Sequence, residues 1–192
     1  MNIAKGWLMS LVVNLYAGPG AGKTTTALRL TSDLKLRGLN VEYVSEYVKD
    51  AAWWGHLDVF DQPDLCFAGQ HRALRTVHAK CDVVVCDSPI NLPIVYATSL
   101  AGYPHAEFSA LVHKLFSSYD NLNLLIDRGQ LPYEPIGRNQ TYHEALAVDS
   151  AVDTFLGDND IPRIKFDPKN DTQYQTVLRY ITKQQISRKK GL

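Results

Sequence analysis

The sequence predicts an α/β fold, a five-stranded, mostly parallel sheet with helices on both faces. Three observations predict it. Short apolar runs rich in β-formers alternate with longer segments whose apolar residues recur at helical spacing. One run, Val83-Val84-Val85-Cys86, is apolar without alternation, which suits a parallel strand covered on both faces. A glycine-rich stretch, Ala17-Gly18-Pro19-Gly20-Ala21-Gly22, joins the first strand to the first helix.

The elements follow in order. Residues 11–16 form a buried strand. Residues 23–37 lack glycine and proline, carry Ala27, Leu30 and Leu34 at helical spacing, and stop at Gly38. A second strand is expected at 40–45. The polar and aromatic stretch 46–64 leads to a helix over 65–80, and a third strand spans 82–87. A helix around 107–118 precedes a strand at 121–126. Gly129, Pro132, Pro135 and Gly137 mark 127–141 as a loop beside two arginines. A helix at 142–156, a short strand at 162–166 and a helix at 171–187 complete the pattern. With no repeat or Ser/Gly linker, residues 1–192 read as one domain, with the 127–141 loop as a lid.

The 192 residues are 45% hydrophobic and 21% charged, a globular composition. Twenty basic residues balance twenty acidic ones, so no global field draws nucleic acid or an anionic membrane. Only Arg188-Lys189-Lys190 is locally basic, and such a tail is ordinarily a solvated end. Three cysteines without framework spacing suit a reducing, cytoplasmic compartment. His71, His78 and Cys81 match no metal-ligand spacing. No apolar run is long enough for a membrane span, and residues 1–13 lack a small-residue cleavage site. Nothing in the sequence specifies an oligomeric state.

Residues 17–24 fit the Walker A pattern, with alanine in place of the first glycine. A strand must turn sharply into a helix while backbone N–H groups converge on phosphate oxygens. Gly18, Gly20 and Gly22 permit that approach, with Pro19 and Ala21 between them. Lys23 is expected at the β- and γ-phosphates of ATP, the Thr24 hydroxyl on Mg2+, and Thr25 toward the α-phosphate. The loop predicts nucleotide binding in a P-loop NTPase fold; alone it does not choose between kinase, switch, motor and helicase.

Other residues narrow the choice. Asp87 closes the third strand, where a second acidic group holds the magnesium shell. No glycine of the GTPase switch kind follows it, and no Asn-Lys-x-Asp guanine signature occurs. Glu46 closes the second strand and is expected in the same crevice, beyond the strands' carboxyl ends. There it could take a hydroxyl proton or hold a sugar. Tyr47 lies beside it, and Trp53 and Trp54 could stack on a planar acceptor. Gln70 could read an amide or base edge, and Arg72 could hold an acceptor phosphate. Arg128 and Arg138 are expected to close over the migrating phosphoryl group, Arg138 after the flexible Gly137.

Taken in order, GPGAGKTTT, a strand ending Ser45-Glu46-Tyr47, a strand ending Asp87-Ser88-Pro89 and a proline-rich Gly137-Arg138 loop resemble a known group. It is the small AAA-domain P-loop kinases, which include the nicotinamide-riboside kinase domain of bacterial NAD-biosynthesis regulators. More loosely the chain is similar to deoxynucleoside, nucleoside-monophosphate and phage-encoded nucleotide or modified-base kinases. The resemblance covers residues 11–166. It implies Lys23, Thr24 and Asp87 around MgATP, an acidic acceptor-side group at Glu46, and lid arginines. Asp87-Ser88 lacks the arginine of the Asp/Glu-Arg pair in nucleoside and thymidylate kinases. Trp53-Trp54 and residues 58–64 match no family pattern. The expected activity is phosphoryl transfer from ATP, with magnesium, to a nucleoside, nucleotide or related small molecule. The alternatives are a hydroxyl of DNA or RNA, and a nucleotide-dependent regulatory ATPase.

Overall fold

The computed structural model describes residues 9–129, 133–134 and 140–190. Five strands form one sheet: β1 (Leu11–Tyr16), β2 (Val41–Val44), β3 (Val83–Cys86), β4 (Asp120–Ile126) and β5 (Ile164–Phe166). Their order is β2-β3-β1-β4-β5, and every pairing is parallel. This is the α/β class, a five-stranded parallel sheet with helices, that the sequence predicts.

The helices are α1 (Lys23–Leu36), α2 (Lys49–Trp54), α3 (Pro63–Val77), α4 (Pro93–Ala97), α5 (His105–Phe116), α6 (Tyr142–Asp158) and α7 (Asp171–Lys190). The central strand β1 is buried along its whole length, and its alternate residues feed two cores. Leu11, Val13 and Leu15 meet Leu30 and Leu34 of α1 and Val177 and Ile181 of α7. Val12 and Tyr16 meet Phe67 of α3, Val112 of α5 and Leu156 of α6. Each such side chain contributes roughly 1.5–3 kcal/mol by leaving water, so unbroken apolar strands are what this two-sided cover requires.

Expected and observed boundaries differ where local devices decide them. α3 begins at Pro63 rather than 65, because proline at the first helical turn has no N–H to lose. It stops at Val77, before Ala79, whose backbone is left-handed at φ 63°. Two features are absent from the sequence reading. Residues 46–64, read as irregular, contain α2 and a 3₁₀ turn (Leu57–Asp61), and the five-residue α4 follows β3. These pieces are too short to display a period, and no residue of α2 is buried. The loops after β1, β2, β3 and β4 all leave the same edge of the sheet, which gathers the candidate site there.

Among the described residues, no helix is long and apolar enough to cross a membrane.

Candidate functional site

The glycines of the first loop serve different ends. Gly20 and Gly22 are left-handed, at φ 76° and 88°. A Cβ on Gly20 would also lie 2.7 Å from the ring of Tyr133. Gly18 is needed for space: a Cβ there would stand 2.5 Å from the carbonyl oxygen of Ala145 on α6. Gly22 caps α1 without a side-chain acceptor, and the first turn holds no acidic residue. The opening N–H groups of this 14-residue helix therefore face the loop without a carboxylate to occupy them. Lys23 is 8% exposed, and its Nζ donates to the carbonyls of Ala17 and Gly18, each at 2.9 Å.

At the neighbouring strand end, Thr24 Oγ1 donates to Asp87 Oδ2 at 2.6 Å, and the Tyr43 hydroxyl donates to the same oxygen at 3.0 Å. Asp87 is 1% exposed, and its Oδ1 is buried with no hydrogen-bond partner. Burial, then the charge of Asp87, drives the Tyr43 phenol well above its ordinary range, so it remains a donor. An unsatisfied carboxylate oxygen beside a threonine hydroxyl is an all-oxygen donor set, and it fits Mg2+. That ion takes one or two protein ligands and completes its shell with water and phosphate.

A cavity of about 310 Å³ extends from the loop to the segment after β2. That is the lower end of the range for small-molecule sites, roughly 300–1,000 Å³. Pro19, Gly20, Gly22, Lys23, Thr24 and Thr25 line one end. Glu46, Tyr47, Trp53, Gln70 and Tyr96 line the other. Gln70 is 3% exposed; its Oε1 accepts the Tyr47 N–H at 2.8 Å, and its Nε2 has no partner. The Tyr47 ring covers Gly69, where a Cβ would meet it at 2.4 Å. Burial, with lesser help from Glu46 and Asp64, pushes the Cys66 thiol up to about 11. The Tyr96 phenol is also raised, by burial first and then by the charges of Glu46 and Asp149.

Two expected acceptor residues are elsewhere. Arg72 is exposed and does not line the cavity, because it follows Gln70 by two helical positions, about 200° around α3. Trp54 also lies off the wall, exposed and edge-on to His56. Trp53 lines the mouth while remaining exposed. Arg128, expected in a lid, is 7% exposed just beyond β4, and its Nε donates to Asp149 of α6 at 2.7 Å. Arg138 lies outside the described residues. Sequence reasoning missed Tyr43, Tyr96 and Asp149. Each comes from an element whose own sequence explains it as packing or solvated surface, so no local signal distinguishes it.

A model of the family described as AAA domain matches residues 12–173. Among solved structures, the chain is similar to a shikimate kinase from Bacteroides thetaiotaomicron. That similarity has a TM-score of 0.46 and 14% identity, over 92% of this chain and 98% of that chain. No curated protein matches the sequence.

Proposed function

The chain belongs to the AAA domain family, and from that premise we propose that it is an ATP-dependent phosphotransferase. Its acceptor is a nucleoside, a nucleotide or a related small molecule, nicotinamide riboside included. The observation that carries this reading is the single cavity joining the phosphate loop to Glu46 and Gln70. A nucleotide-hydrolysing switch has no need of a second, partly apolar compartment beside its phosphates; a kinase must hold an acceptor there.

In this reading the loop N–H groups from Gly20 onward cradle the phosphates. Lys23 exchanges its two carbonyl partners for phosphate oxygens, and Thr24 and Asp87 hold Mg2+. The metal, when bound, neutralises charge on the β- and γ-phosphate oxygens. Glu46 accepts the proton of the acceptor hydroxyl as the new O–P bond forms. The bond to the β-phosphate bridging oxygen breaks, and ADP leaves. Gln70 orients the acceptor, with Tyr47 and Trp53 beside it, and Arg128 meets the developing phosphoryl charge. We assign Arg138 the same duty, with the 127–141 segment as a lid on one kinase domain working in the cytoplasm.

A second reading takes the hydroxyl of a nucleotide within DNA or RNA. What favours it is the exposure of Trp53 and Trp54, 59% and 72%, at the cavity mouth and just behind it. Solvent-facing indoles offer stacking surface for unpaired bases.

The test is ADP release with MgATP across nucleosides, nucleoside monophosphates, nicotinamide riboside and short oligonucleotides. Stimulation by one class, abolished in Lys23→Ala, is the expected result. Slow hydrolysis indifferent to every acceptor would instead support a regulatory ATPase.

A further inference from the structure

One side chain of helix α6 hydrogen-bonds the phosphate loop. Asp149 Oδ1 accepts the N–H of Gly18 at 2.6 Å, across 131 residues, and its Oδ2 accepts from Arg128 Nε at 2.7 Å. The helix is pressed against the loop at this point, since Gly18 has no room for a Cβ under Ala145. Gly18's N–H is thus occupied, and Pro19 has none. The phosphate-facing donors of the loop can begin only at Gly20.

The guanidinium that Asp149 holds is incompletely satisfied. Arg128 is more than nine-tenths buried, yet its Nη2 has no partner. Its Nη1, on the same planar fork, passes 3.3 Å from where a Cβ of Gly20 would stand, so the guanidinium lies beside the loop. A buried guanidinium with unmet donors is costly unless an anion completes it. A carboxylate on Nε sets the plane of the whole fork.

We propose that Asp149 is a positioning residue: it clamps the start of the loop to α6 and aims Arg128 at the terminal phosphate of the nucleotide. The inference rests on the nucleotide-binding reading above. It adds a residue that contacts neither nucleotide nor acceptor and acts through Arg128. A plain structural staple between α6 and the loop would affect stability without regard to the number of phosphates bound.

The experiment is calorimetric titration of the full chain with Mg-ADP and with a magnesium-bound, non-hydrolysable ATP analogue. In Asp149→Asn, affinity for the triphosphate analogue should fall about tenfold, while that for ADP changes less than about threefold. Arg128→Gln should show the same selective loss, and the double variant should be no weaker than Arg128→Gln alone. Arg128→Lys, which keeps the charge without the planar fork, should lose the same preference. It serves as the readout if Asp149→Asn proves unfolded. Equal weakening of both nucleotides, an unchanged preference, or additive losses in the double variant would overturn the proposal. Lys23→Ala reports separately on the nucleotide reading, through loss of both ligands. A wild-type chain that bound neither would overturn both.

Discussion

The Thr24 hydroxyl donates to Asp87 Oδ2 at 2.6 Å, across 63 residues of sequence. The contact joins the first turn of α1 to the end of β3, which lies beside β1 in the sheet. It leaves Asp87 Oδ1 as the unsatisfied atom of the pair.

Asp87→Asn should therefore act through the metal. Turnover should fall by roughly two orders of magnitude, and half-saturating magnesium should rise at least several-fold. Metal-free nucleotide binding should change little. A magnesium titration of wild type and variant measures this, and an unshifted midpoint would contradict the assignment.

Glu46 stands at the other end of the cavity, on the loop after β2. Glu46→Gln keeps the shape and removes the carboxylate proposed as the base. The expected loss in kcat is roughly 10²–10⁴-fold with the KM for ATP nearly constant, since only the proton-accepting step is affected. Steady-state kinetics with saturating acceptor decide it; normal turnover would reduce Glu46 to a strand-end surface residue.

Gln70 has a fixed amide, because the Tyr47 N–H claims its Oε1 and leaves Nε2 as a buried donor without a partner, on a residue that lines the cavity. Gln70→Leu should raise the KM for the acceptor about tenfold, the worth of one buried hydrogen bond, and spare that for ATP. Equal effects on both substrates would mean a packing role.

His71 and His78, which do not line the cavity, offer a separate pH test. His71 shares a hydrogen bond with the Tyr119 hydroxyl at 2.9 Å, and His78 packs edge-on against the same ring. Burial lowers both imidazoles below the ordinary 6.5, with the charge of Arg75 adding to the effect at His71. The unfolded chain therefore takes up protons below about 6.5 that the folded chain resists, so stability present above that pH should fade as pH drops. Thermal midpoints from pH 8 to 5 should decline, with a shallower decline in His71→Gln and in His78→Gln. An identical slope in both variants would exclude these histidines as the cause.

The long elements were legible because each states its environment. Val83-Val84-Val85-Cys86 is apolar on both faces and is buried on both. Residues 11–16 were expected as a strand and form one with those bounds. The short pieces were not legible. α2 buries none of its six residues, and α4 has only five, so neither carries a period that could be read. On α3, composition alone could not separate Gln70 from Arg72. Only the helix's rotation against β2 and β3 puts one inside the cavity and the other in water.

By itself the sequence determined the α/β class, the phosphate loop and the order of its elements, because propensity, hydrophobic period and glycine spacing act over a few residues. Tertiary structure alone decided which distant groups meet: Asp87 on Thr24, the Tyr47 N–H on Gln70, and Asp149 between Gly18 and Arg128. Those meetings depend on strand order and helix rotation, which arise from burying two cores at once, and no local stretch of sequence encodes them.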